Sequence, residues 1–163
     1  MRTIGIDVST KSIALASVFR GEWGGEIVHD ELWSRHEAFN DRLRELAGLL
    51  SRKFEAERAF VRSKKAIPET VVYIEDIPFM QGQNGIHISQ MIGLVKTVLT
   101  LQGMSWKLVN ISTWKKETVG KGNASKQEVK DWVDHIWGIV IPLGSQNLYD
   151  ATAIACYGAV HER

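Results

Sequence analysis

The chain has 163 residues, 44% of them hydrophobic and six of them Trp, which supports one packed core and predicts a single domain over residues 1–163. It holds no run of about 18 apolar residues and no apolar N-terminal stretch of signal-peptide length, so neither a membrane span nor a secretory leader is expected. The formal net charge of +1 excludes a uniformly basic surface, and the lone Cys156 excludes an intrachain disulfide or a cysteine zinc cluster, which predicts a reducing, cytoplasmic setting.

In chain order, residues 3–7 read as an apolar strand that closes on Asp7. Residues 13–19 and 26–29 read as two more strands, joined by short turns at Ser9-Thr10-Lys11 and Gly24-Gly25, so an antiparallel meander is expected. The period then changes. Asn40 is placed to cap a helix in which Leu43, Leu46, Ala47, Leu50 and Phe54 recur at helical spacing, ending near Arg62 and before Pro68. Residues 70–75 form a continuous β-rich run, the pattern of a strand covered on both faces, and it also closes on a carboxylate, Glu75. Asn84 or Gly85 opens a helix with Ile88, Met91, Ile92, Val95, Val98, Leu99 and Gln102 on its inner side. Gly93, in the middle of it, costs about 1 kcal/mol relative to Ala and predicts a close packing partner. Residues 106–109 read as a short strand. Ser125 caps a helix through Val129, Trp132, Val133 and Ile136, and a last helix follows Gly144-Ser145, with Leu148, Ala151, Ile154, Ala155 and Gly158 inward. The order of elements predicts an α/β fold: an RNase H-like mixed five-stranded sheet, three antiparallel strands and then parallel additions, flanked by helices.

Charge is unevenly placed. Residues 41–65 carry eight Lys or Arg against four Asp or Glu, and residues 107–130 carry six Lys against two Glu. Basic stretches beside an acidic site suit an enzyme acting on nucleic acid. Asp7 and Glu75 each close a strand, and adjacent strand ends form a crevice where ligands bind. Asp150 shares a helical face with Asn147, Ala151 and Ile154, and burial of Ile154 draws it towards the sheet. Three converging carboxylates repel and raise one another's pKa unless cations intervene. Hard oxygen ligands suit Mg²⁺ or Mn²⁺. Two such ions about 3.5–4 Å apart position a water and stabilise a leaving oxygen on phosphorus. Lys121 and Lys126 flank Gly122 ahead of a helix start, a setting that favours phosphate. Trp114, ahead of Lys115 and Lys116, reads as a core or capping residue, and Asp76 as a structural neighbour of Glu75 that points the other way.

Four blocks, in order and spread over nearly the whole chain, resemble the RuvC family of Holliday-junction resolvases, within the RNase H-like superfamily. They are residues 4–7 with Asp7, residues 73–76 followed by Phe79-Met80, residues 119–126, and residues 147–155 with Asp150. The resemblance implies a crossover junction endodeoxyribonuclease, a homodimer that binds a four-way DNA junction and nicks two strands symmetrically with two Mg²⁺ (or Mn²⁺) ions per site. It carries over Asp7, Glu75 and Asp150 as metal ligands, Lys126 as the residue that stabilises the scissile phosphate, Lys115 as a holder of nearby DNA backbone, and Phe79 as a wedge that stacks on an unpaired base. By the same resemblance, the helix after Asn84 or the one before it borders the dimer interface. The chain departs from the family at Asn147, where Asp or His is usual. An amide oxygen coordinates a cation without adding charge, so a more weakly held second metal is expected. It departs again at Asp7-Val8-Ser9-Thr10, where the family commonly reads Asp-Pro-Gly; Ser9, Thr10 and Lys11 are then placed to reach phosphate. One residue is also added between Glu75 and Phe79.

Forks and flaps fit the same carboxylates as well as a four-way junction does. Two readings of other classes stand beside the nuclease. One is a module that binds junctions without cutting, in which the three carboxylates do not cluster. The other is an actin-like phosphotransferase or ATPase domain, from the likeness of residues 5–10 to a phosphate-binding hairpin; such proteins bind nucleotide between two domains, and the chain has length for one.

Overall fold

The structure, a computed structural model, describes residues 1–21, 24–63, 69–77, 82–137, 141 and 145–162. β1 (Arg2–Val8) is buried along its whole length. Ile4, Ile6 and Val8 face one side of the sheet, and Thr3, Gly5 and Asp7 face the other. β2 (Ser12–Gly21) pairs antiparallel with β1, and β3 (Gly24–Trp33) antiparallel with β2. α1 (Phe39–Ser63) leads to β4 (Thr70–Asp76), which pairs parallel with β1. α2 (Gln83–Leu101) leads to β5 (Ser105–Asn110), parallel to β4. α3 (Ile111–Thr118), α4 (Lys126–Trp137) and α5 (Gln146–His161) complete the chain. The strand order is β3-β2-β1-β4-β5. This is the expected mixed sheet, three antiparallel strands followed by parallel additions.

Alternation along the strands divides the apolar side chains between two faces. Ile4, Ile6, Ile13, Leu15, Val72 and Ile74 pack against Leu46, Leu50 and Phe54 of α1 and Met91, Val95 and Leu99 of α2. Ala14, Ala16, Val18, Val71 and Tyr73 pack against α3, α4 and α5 through Trp114, Val129, Val133 and Ile154. The second face carries mostly small residues, so α5 comes down to backbone contact. A Cβ on Gly5 would lie 2.0 Å from the Ala151 carbonyl oxygen and 2.4 Å from the Ala155 nitrogen. Thr3 Oγ1 donates to the Ala155 carbonyl at 2.9 Å, and a Cβ on Gly158 would meet the Tyr73 ring at 2.5 Å. This seating sets the first turns of α5 over the C-terminal end of β1.

Several local expectations change. α1 begins at Phe39, one residue before the expected cap, and β2 and β3 run longer than residues 13–19 and 26–29. α3 was not expected. Asn110 caps it, its side chain accepting from the Ser112 N–H at 2.9 Å. Ser125 pairs with Glu128 at the start of α4: Ser125 Oγ accepts from the Glu128 N–H, and a Glu128 carboxylate oxygen from the Ser125 N–H. Beside Gly93 the space is open, with nothing within 4 Å of a would-be Cβ, so its packing partner is not supplied within the described residues. Among those residues no helix is long and apolar enough to cross a membrane.

Candidate active site

Ile6 pairs with Ile74 across the parallel β1–β4 ladder, so Asp7 and Glu75 emerge side by side, one residue further along. Their positions put both on the α5 face of the sheet. Asp150, in the second turn of α5, completes the set. All three line one cleft of about 440 Å³, together with Ser9, Thr10, Lys115, Lys126 and Asn147. Asp7 and Glu75 are buried, at 7% and 6% exposure, and Asp150 is half-buried.

The electrostatics of that convergence are unfavourable. Burial pushes the Asp7 carboxyl well above the usual carboxylate range, and the charges of Glu75 and then Asp150 add to it; the Val8 N–H and Lys126 pull the other way without restoring it. Burial also raises Glu75. A hydrogen bond from Trp114 opposes that rise, Asp150 adds to it, and Lys115 and a hydrogen bond with Asp7 oppose it. Asp150 is raised by burial against the pull of Gln146, Lys115 and Lys126. Three acids that hold their protons too tightly, beside two lysines, make a site short of positive charge.

Each side chain has a local reason for its place. Trp114 is fully buried and donates its indole N–H to Glu75 Oε1 at 3.0 Å. Lys115, next to it on α3, donates to the Ala124 carbonyl at 2.8 Å, which ties α3 to the loop that ends at Lys126, the first residue of α4. Asn147 donates through Nδ2 to Ser12 Oγ at 3.1 Å and to Glu31 Oε1 at 3.3 Å. These two bonds occupy the amide nitrogen, and the amide's remaining polar atom, Oδ1, is an oxygen. Ser12 is itself fully buried and donates to Glu31 at 3.0 Å. The β1–β2 turn is closed by Ser9 Oγ, which accepts from the N–H groups of Lys11 and Ser12.

The structure therefore brings together Asp7, Glu75, Asp150, Asn147, Lys115, Lys126 and Thr10 of the residues singled out from sequence. Lys11 stands exposed on the turn, outside the cleft lining, and Lys121 is exposed and paired with Glu128 at 2.6 Å. Phe79 lies outside the described residues. Sequence reasoning missed Trp114, Ser12 and Glu31 as supports of the site. For Trp114 the available signal was Asn110 followed by Ile111, Trp114 and Thr118 at helical spacing. Ser12 and Glu31 carry no local signal.

The donors gathered here are all oxygen, three carboxylates and an amide, which fits a hard cation such as Mg²⁺ or Mn²⁺. Among the described residues no three His, Cys, Asp or Glu side chains already stand as a closed ligand set, so binding an ion requires these side chains to draw together.

The class of fold is RNase H-like, and the solved structures similar to this chain narrow it to the RuvC form. Thermus thermophilus RuvC matches with a TM-score of 0.74 and 22% identity over 99% of this chain and 95% of that one. T. thermophilus RuvC in complex with Holliday junction substrate matches with a TM-score of 0.79 and 23% identity over 100% and 95%. The fowlpox virus resolvase in a complex with substrate Holliday junction DNA matches with a TM-score of 0.52 and 13% identity over all of both chains. No family model matches the chain, and no curated protein matches its sequence.

Proposed function

We propose that the chain is a metal-dependent endonuclease that cuts branched DNA, four-way junctions foremost, and works as a homodimer. One observation carries this reading: Asp7, Glu75 and Asp150 come from three separate elements into one cleft that also holds Lys115 and Lys126, and all three hold their protons too tightly for an unassisted site. A buried cluster of like charges is costly in a binding module and useful in a cation-dependent nuclease. The fold supports the same reading, because the similar RuvC and fowlpox structures are complexes with Holliday junction DNA.

Asp7, Glu75 and Asp150 would hold Mg²⁺ or Mn²⁺, two per site, with Asn147 Oδ1 as a neutral fourth donor. Bound there, the ions supply Lewis-acid stabilisation on phosphorus and a water acidic enough to attack near neutral pH. Lys126, at the capped start of α4, neutralises the scissile phosphate. Lys115 supports it by holding the loop at Ala124 and by facing Glu75 and Asp150. Thr10, on the cleft wall, and Lys11, on the outer side of the same turn, contact the flanking backbone. Lys121 joins them by exchanging Glu128 for phosphate, and Phe79 stacks on an unpaired base.

The test is a labelled four-way junction incubated with Mg²⁺ or Mn²⁺, beside an Asp7→Asn variant. Cutting is expected with the wild type, together with a loss of about 1000-fold or more in the variant, since a metal ligand supports several kcal/mol of barrier lowering. Binding without cutting in either metal would make the chain a junction-binding module. Undiminished cutting by the variant would remove Asp7 from the site.

A further inference from the structure

We propose that Trp114 is a positioning residue for Glu75: its indole N–H fixes the carboxylate so that the second oxygen is presented to the cation in the cleft. The inference rests on the metal-nuclease reading of that cleft. Among the described residues Trp114 is the largest fully buried side chain, and hydrophobic side chains of the α5 side of the sheet pack around it. Packing alone is met by a ring without a polar atom. A buried indole N–H needs an acceptor, because an unpaired one costs about 1–3 kcal/mol. Here the acceptor is a side-chain oxygen of the buried strand-end acid, at 3.0 Å, rather than a backbone carbonyl.

The chain path makes this contact specific. β5 pairs with β4 so that Val109 lies opposite Glu75 and Asn110 opposite Asp76. Asn110 then caps α3, and the first turn of α3 brings Trp114 back over Glu75. The donor is neutral. It holds one oxygen and sets the plane of the carboxylate without cancelling the charge that a cation needs. Lys115, the next residue, bonds the Ala124 carbonyl, and its charge acts on both Glu75 and Asp150, whereas the indole N–H bonds Glu75 alone. Partners one step removed from a metal typically change its affinity by about 10- to 100-fold when lost.

The experiment compares wild type and Trp114→Phe by calorimetric titration with Mn²⁺, with circular dichroism to show that both are folded and Asp7→Asn as the variant that loses cleft binding. Trp114→Phe fills most of the same volume and lacks the donor. A 10- to 100-fold weaker Mn²⁺ affinity in the folded variant is expected; an unchanged affinity overturns the inference and leaves Trp114 as packing. Wild-type protein that binds no Mn²⁺ overturns the metal reading itself, and this inference with it. If Trp114→Phe does not fold, the wild type answers through its ¹⁵N-labelled indole groups. The Trp114 N–H resonance is expected to move along a Mg²⁺ titration and in Glu75→Gln, and a resonance that ignores both overturns the proposal.

Discussion

Asp7 sits on the α5 face of β1, where burial and the neighbouring charges of Glu75 and Asp150 hold its carboxyl well above the ordinary range. A carboxyl raised on folding stabilises the folded chain fully below its unfolded value, near about 4, and loses that contribution as pH rises through the folded value. All three acids of the cleft shift in this direction. The metal-free protein is therefore strained at neutral pH. Asp7→Asn is expected to stabilise it by about 1–2 kcal/mol, or roughly 2–8 °C in Tm for a chain of this size. The gain should be largest near pH 7.5, shrink towards about pH 5, and vanish with saturating Mg²⁺. Calorimetry in EDTA and in Mg²⁺ reads it, and a variant that melts below wild type in EDTA would contradict the strain. The three acids were legible in the sequence because each breaks an apolar pattern where an element ends or enters the core. Trp114, Ser12 and Glu31 were not, because their roles come from partners 39, 135 and 116 positions away in the chain.

The seating of α5 on β1 holds Asp150 opposite the two strand-end acids, and Gly5 is the position on which that seating turns. Any Cβ there would lie 2.0 Å from the Ala151 carbonyl oxygen, against backbone that cannot rotate away. Gly5→Ala should force α5 off the sheet at the cost of about 3 kcal/mol or more, lowering Tm by roughly 6–12 °C. Urea titration checks the first figure and calorimetry the second. A Tm within a degree or so of wild type would mean that α5 does not rest on the β1 backbone. The elements with long periodic stripes, α1, α2 and α5, were readable from spacing alone, as were the strands by their alternation or continuous apolar run. α3 was not. It has eight residues and one buried side chain, Trp114, so behind the Asn110 cap its helical spacing spans only Ile111, Trp114 and Thr118, too short to stand out.

At the scale of the molecule, the mixed sheet followed from the order of elements, three strands joined by short turns reading as a meander and later strands joined through helices as parallel additions, whereas the placing of β4 beside β1 is seen only in the structure. What sequence order does not specify is which surface meets a second copy. α2 presents Ile86, Gln90, Gly93, Thr97 and Leu101 along one exposed side, with Ile86 54% and Leu101 79% exposed. These positions fall within one turn-wise strip of the helix. Gly93 lies at its centre with nothing among the described residues within 4 Å of a would-be Cβ, so the chain keeps a residue that weakens the helix by about 1 kcal/mol with no contact among those residues to justify it. If the chain forms the homodimer proposed above, a second copy crossing at Gly93 would supply that contact and cover both apolar ends. Two active sites would then address two strands of one junction. Wild-type protein is expected to sediment as a dimer, and Gly93→Arg, at an exposed position that does not line the cleft, as a folded monomer with wild-type Mn²⁺ affinity. On a supercoiled plasmid bearing a cruciform, the dimer should release linear product in one binding event, whereas the monomer should leave single nicks. Paired cutting by a monomeric Gly93→Arg variant, or a wild-type monomer that cuts both strands together, would place symmetric cleavage elsewhere than in an α2 interface.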